Sequence, residues 1–291
     1  MKNKILQTLL ASLICILFSS CKRPNKDTNS PILPPQPALQ TTKTINYNDY
    51  SVDLVIDKPE GDTMDVLMVF HGTVQYDSLI LAAAHNTLDA FKKLLDNKQI
   101  MLISVAYPEE NLLIGDNIAH SEAALLWLKN KAKEELSIDV RKIFLAGHSQ
   151  GGYIVSRLNT MHPTQGVIAN APGPLNLVYR CQLEENGQIP NGSACTLLRN
   201  QYGTTSANPA AYHQRSLLHF TQGFLSDILY VQGLNDSPIQ MYSWPLFKTE
   251  INNCSSCQKI QILELPGLGH NALFNSSEAK AAFNTFIQDR L

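Results

Sequence analysis

The sequence predicts a doubly wound, mostly parallel α/β sheet flanked by helices and carrying a cap insertion. Continuous apolar runs, such as Asp65-Val-Leu-Met-Val-Phe-His71 and Ile100-Met-Leu-Ile-Ser-Val-Ala106, suit strands buried on both faces. Segments of helical period separate these runs, and strands that alternate with helices of that length pair in parallel. One interval breaks the rhythm: roughly fifty residues between Pro172 and Ser226 carry Gly, Pro and Asn but little period, too long for an ordinary connection.

In chain order, Met1-Lys-Asn-Lys4 is a short positive region, and Ile5 to Phe18 is an apolar run of signal-peptide length, too short to span a bilayer comfortably. It closes in Phe18-Ser-Ser-Cys21, which resembles a bacterial lipobox with Phe where Leu is usual. That resemblance implies a lipoprotein signal over residues 1–20, a lipidated Cys21, and an exported protein anchored to a bacterial membrane, facing periplasm or exterior. A plain secretory signal cut near Ser20 is the alternative. Residues 21–44, with Pro31-Ile-Leu-Pro-Pro-Gln-Pro37, read as a semi-rigid tether, and the domain proper is expected over 45–291.

Tyr50–Asp57 partly alternates apolar and polar, as an outer antiparallel strand does. The run ending at His71 is the first buried strand. A helix is expected from Asp77 to about Asn97, with Ala84, Leu88, Phe91 and Leu95 on one face. The run from Ile100 is the second buried strand, and Ile118–Leu136 is a helix buried through Leu125, Leu128, Ala132 and Leu136. Ile143–Ala146, Gly166–Ala171, Asp227–Gln232 and Ile260–Leu265 are the third to sixth buried strands, and a helix over Glu278–Leu291 ends the chain. The irregular interval, bounded at 174–226, is most simply a cap over a site at the carboxyl ends of the strands. Its Tyr179, Leu197, Leu198, Tyr202, Tyr212 and Phe220 suit either a substrate pocket or a small core of the cap's own.

A net charge of −2 on 291 residues, without basic blocks, gives no sign of nucleic-acid binding. Of six cysteines, Cys15 lies in the signal and Cys21 is the lipid site. In an exported protein the remaining Cys181, Cys195, Cys254 and Cys257 read as two disulfides, with the sequence-local pairing one of three connectivities. Cys254-Ser-Ser-Cys257 lacks the second ligand pair of a zinc site, and it lies between a helix and a late strand rather than after a first strand, where a redox motif belongs.

Gly147-His148-Ser149-Gln150-Gly151 joins the third buried strand to a helix. A serine on so sharp a turn sits in strained backbone, and side chains two residues to either side would strike the neighbouring strand and helix. Ser149 at a helix start also places the Gln150 N–H where an oxyanion would form. A serine nucleophile needs a base, and the base needs an acid to fix its tautomer. Of eight histidines, His270 lies in a glycine-rich loop after the sixth buried strand. His71 precedes the serine; His85, His120 and His162 fall on or beside helices; His213 and His219 lie in the cap; and His148 is expected to point away from the serine. Asp236 is the only carboxylate in Gly233-Leu-Asn-Asp-Ser-Pro238, after the fifth buried strand.

Serine in G-H-S-Q-G-G, an Asp after a later strand and G-x-G-H after the next resemble the α/β-hydrolase superfamily in order and spacing, over residues 45 to 291 outside the cap. His71-Gly-Thr-Val in place of H-G-G-G, together with the N-D-S-P loop, is closer to the prolyl oligopeptidase-like and dienelactone hydrolase-like branches. The resemblance implies Ser149 as nucleophile, His270 as general base and acid, and Asp236 as its orienting group. It also implies an oxyanion hole from the Gln150 N–H and that of Thr73, with Gly72 the other candidate. The implied reaction is acyl transfer to water from a small ester, without metal or organic cofactor. Two alternatives stand beside it. A serine peptidase would use Glu109-Glu110 or Glu184-Glu185 to meet a substrate amine, and a catalytically silent binding lipoprotein would keep only the fold.

Overall fold

Eight strands make a single sheet in the computed structural model, which describes residues 37–291. The signal region, Cys21 and the tether as far as residue 36 lie outside the described residues. The strands are β1 (Leu39–Tyr47), β2 (Tyr50–Lys58), β3 (Thr63–Phe70), β4 (Met101–Ala106), β5 (Asp139–His148), β6 (Gly166–Asn170), β7 (Ile228–Gly233) and β8 (Ile260–Leu265), in the order β1-β2-β4-β3-β5-β6-β7-β8. β1 and β2 pair antiparallel, as do β2 and β4, and every later pairing is parallel.

The expected start of the domain needs correction. β1 takes in Leu39 to Thr44, which the sequence reading assigned to the tether. It is an edge strand whose only buried residue is Ile45, so its Gln, Thr and Lys side chains carry no apolar period.

The helices are α1 (Ile80–Leu94), α2 (Ile118–Leu136), α3 (Gln150–Asn159), α4 (Leu177–Glu185), α5 (Ser193–Tyr202), α6 (Pro209–His213), α7 (Pro238–Asn252), α8 (Ala272–Asn275) and α9 (Ser277–Gln288). Ala84, Leu88 and Phe91 of α1 join Ala279 and Phe283 of α9 on one sheet face. Trp127 and Leu128 of α2, Ile154 of α3, and Trp244 and Phe247 of α7 cover the other. With helices on both faces, β4, β6 and β7 are buried throughout and β3 beyond Thr63, so they read as unbroken apolar runs.

The interval after β6 holds the three short helices α4, α5 and α6, packed on each other through Leu177, Leu198, Ala211 and Tyr212. The Cys181–Cys195 disulfide joins α4 to α5 inside that small core, and Cys254 pairs with Cys257 after α7, the sequence-local connectivity. Leu198, Tyr202 and Tyr212 of the cap's large side chains therefore serve the cap itself. Phe220 lies under the Arg157 guanidinium, 3.4 Å from its ring centroid, and Tyr179 stacks on Tyr242 at 3.8 Å. Leu197 alone of the six reaches the cavity described next.

Candidate active site

The parallel register brings the carboxyl ends of β3, β5, β6, β7 and β8 side by side, with Phe70 opposite Gly147, His148 opposite Asn170 and Gly233 opposite Leu265. A cavity of about 700 Å³ opens there, and Ser149, Asp236 and His270 all line it. The cap contributes Leu177, Arg180 and Leu197 to one wall, and the segment after β4 contributes Glu109 to Ile114 to another.

Ser149 sits between β5 and α3 at φ 57° and ψ −118°, a conformation that L residues rarely adopt. Neighbouring elements hold it there: its N–H donates to the Asn170 carbonyl at 2.9 Å, and its carbonyl accepts from Tyr153 and Gly173 at 3.1 Å. A Cβ at Gly147 would overlap the Gly151 carbonyl, and one at Gly151 would overlap the Phe70 carbonyl at the end of β3. Both flanking glycines are thus required by helix and strand, as the spacing predicts.

Asp236 and His270 meet across the β7 and β8 loops. The Asp236 side chain is 2% exposed, and its Oδ2 lies 2.9 Å from His270 Nδ1, whose ring is 43% exposed toward the cavity. Asp236 Oδ2 also accepts from Gln232 Nε2 at 3.0 Å, and Oδ1 accepts from the Ser237 N–H at 2.6 Å. Burial pushes this carboxyl up, but the bonds from His270, Ser237 and Gln232 outweigh burial and hold it below its usual range. An ionised Asp236 fixes the proton on His270 Nδ1 and leaves Nε2 free to act as a base. Among the described residues no hydrogen bond joins the Ser149 hydroxyl to His270; the two share the cavity wall, and such bonds are often long before substrate binds.

The loop after β3 carries the second expected oxyanion donor. Thr73 Oγ1 donates to Gln150 Oε1 at 2.8 Å, so the two candidate amides stand on elements tied together by their side chains. Gln150 opens α3, and its N–H has no acceptor within the helix. A Cβ at Gly72 would come within 3.3 Å of Ser149 Cβ, a tight contact that brings this loop directly against the serine. The segment after β4 braces this loop from beneath. Tyr107 stacks on His71 with centroids 3.9 Å apart and donates to its carbonyl, while Glu109 Oε2 accepts the Val74 N–H.

Several partners were not singled out from sequence. Gln232 ends a buried strand as its one polar side chain, which was the available signal, and Gln240 of α7 donates to its Oε1 at 3.1 Å. Asn170 ends β6; its Nδ2 donates to His148 Nδ1 at 2.7 Å, and its Oδ1 accepts the Leu273 N–H at 3.2 Å, pinning the His270 loop. His148 packs behind the base candidate: its ring lies 4.8 Å from that of His270, held there by Asn170 on the adjoining strand end. Burial first, and the neighbouring His270 next, push His148 down to about 4 against the pull of Asp236, so a neutral ring backs His270.

The acidic pairs are mostly committed elsewhere. Glu184 is buried against Arg180, Arg199 and the Gly192 N–H; Glu185 accepts from Thr205; and Glu110 accepts the Asp77 N–H. Glu110 still borders the cavity together with Glu109. No group of three or more metal-ligating side chains occurs among the described residues.

Neither a protein-family model nor a curated protein matches the sequence. Solved structures do match in shape. Acylaminoacyl peptidase from Pyrococcus horikoshii superposes with a TM-score of 0.62 at 12% identity over 88% of this chain, which spans only 42% of the peptidase's own length. Est1E from Butyrivibrio proteoclasticus gives 0.60 at 13% identity, covering 86% of this chain and 98% of that one. A thermostable esterase from Pseudomonas putida gives 0.59 at 18%, covering 86% and 81%. The chain has the α/β-hydrolase fold.

Proposed function

We propose that this protein is a serine hydrolase that cleaves a carboxylic ester through an acyl-enzyme on Ser149. The observation that carries the reading is the contact between buried Asp236 and His270 Nδ1 beside a serine held on a strained turn in the same cavity. His270 Nε2 takes the Ser149 proton as Oγ attacks the carbonyl carbon, and the Gln150 and Thr73 amides receive the oxyanion. Collapse breaks the ester bond as His270 protonates the leaving alkoxide; His270 then activates water to release the acid. The proposed steps call for no metal or organic cofactor. Esterases and a peptidase among the structural neighbours support the hydrolase class.

The positive start and apolar run ending in Phe18-Ser-Ser-Cys21, with two disulfides in the domain, support export and lipidation at Cys21 in a bacterial envelope. A matched series of aryl esters and aryl amides tests the reaction: ester turnover that exceeds amide turnover is expected. Amide turnover equal to or faster than ester turnover would give the peptidase reading instead. Incorporation of radiolabelled fatty acid, absent in Cys21→Ser, tests the anchor.

A further inference from the structure

Two residues that the reaction above does not use border the same cavity, and each holds a buried side-chain oxygen without a partner among the described residues. Asn117 is 2% exposed, and its Oδ1 has no hydrogen-bond partner among the described residues. It stands at the N-cap of α2, where an Asn side chain ordinarily accepts an N–H of the first turn, yet it makes no such bond. Glu109 offers the second: its Oε2 is used by the Val74 N–H, while its buried Oε1 has no partner. Burial, with Asp77 adding to it, pushes Glu109 up to about 8 even though the Val74 N–H pulls it down, so the carboxyl is largely protonated near neutral pH.

Leu112, Leu113 and Ile114, which follow Glu109 in the chain, line the same cavity and are apolar. Arg180, which also borders the cavity, is already paired with Glu184. Buried acceptors left unmatched disfavour the folded state unless something in use satisfies them. An alkyl group placed here would leave both oxygens unmatched. A hydroxyl or amine would donate to Asn117 Oδ1 and exchange a second hydrogen bond with Glu109.

We propose that Glu109 and Asn117 form a specificity subsite of the Ser149 cavity that takes a hydrogen-bond-donating group, a hydroxyl or an amine, carried on an otherwise apolar substrate. The proposal rests on the hydrolase reading. It also ties recognition to catalysis, because the same Glu109 carboxyl holds the backbone one residue beyond Thr73.

The test uses the full chain and two sets of six-carbon esters, one varied in the acyl chain and one in the alcohol, each ending in methyl, methoxy, hydroxyl or amine. In at least one set, kcat/KM for the hydroxyl or amine member should exceed that for methyl and methoxy by about tenfold or more. Asn117→Leu should bring that ratio close to one, and Asn117→Asp, which keeps an acceptor, should retain it. Preference for the hydroxyl alone or the amine alone identifies the donor and supports the subsite. Turnover with no preference over methoxy in either set, or a preference that survives Asn117→Leu, would overturn the subsite and leave the hydrolase reading standing. Calorimetric binding of the same esters to Ser149→Ala reads the subsite without chemistry: donor-selective binding with no wild-type turnover would keep the subsite and sink the hydrolase reading.

Discussion

Asp236 illustrates how much of the site rests on single side chains. Its carboxylate is buried and committed to three donors, so Asp236→Asn keeps the shape but presents an amide to His270 and favours the wrong tautomer. Ester turnover by Asp236→Asn should fall by roughly 10³–10⁴-fold with little change in thermal stability; a loss under tenfold would mean that His270 is oriented by something else. Ser149→Ala should remove burst-phase release of the aryl alcohol entirely, leaving at most a slow background. His148 was the residue least readable from sequence. Its position beside Ser149 suggested a side chain facing away from the serine and gave no partner for it; the end of β6 supplies Asn170 at the same level, and a nearby acceptor ring is the cheaper arrangement for a buried amide.

Between residues and fold lie the loops at the strand ends, and the brace under the oxyanion loop belongs to that scale. Tyr107 and Glu109 follow β4, the neighbour of β3, so they reach the loop that follows β3. Tyr107→Phe removes only the hydroxyl on the His71 carbonyl; if the loop holds the oxyanion as proposed, kcat should fall by roughly tenfold with KM changed far less. A change confined to KM would argue against the brace. The cap is held by a disulfide closing a short loop, and replacing Cys181 and Cys195 with Ser should lower stability by about 3 kcal/mol, measured by denaturant unfolding. The elements that sequence reading recovered were those with a strong period: buried strands between long amphipathic helices, and the elbow with its two glycines. It missed those whose stability comes from elsewhere. β1 is polar and gains its place by pairing with β2, and α4 to α6 are short helices fixed by a disulfide and a six-residue core. Asn117 gave no pattern either, and Glu109 stood out only as half of an acidic pair, since the meaning of both depends on a cavity that long-range pairing creates.

Over the whole molecule, the buried titratable groups set how stability varies with pH. His71 and His148 are each pushed down to about 4, chiefly by burial, with His120 and His219 displaced the same way. Between about 4 and the ordinary histidine range near 6.5, the unfolded chain binds more protons than the folded one, so stability rises with pH. Glu109 acts oppositely: the folded chain keeps its proton up to about 8 and the unfolded chain releases it near the usual carboxylate value, so stability falls as pH rises through that window. Between about 4 and 6.5 the histidines outnumber Glu109, and between about 6.5 and 8 Glu109 sets the slope, which places the maximum of that range near pH 6.5. Denaturant unfolding across pH should show that maximum, and Glu109→Gln should flatten the alkaline side; a maximum above pH 8 would contradict the assignment.

The central claim is that Ser149 is a nucleophile activated by His270. Intact-mass analysis of the full chain after exposure to an alkyl fluorophosphonate tests it most directly. One phosphonyl adduct, localised by peptide mapping to the segment containing Ser149, lost in Ser149→Ala and slowed at least a hundredfold in His270→Ala, is the predicted result. A folded protein that takes up no adduct, or one equally modified after Ser149→Ala, would contradict it.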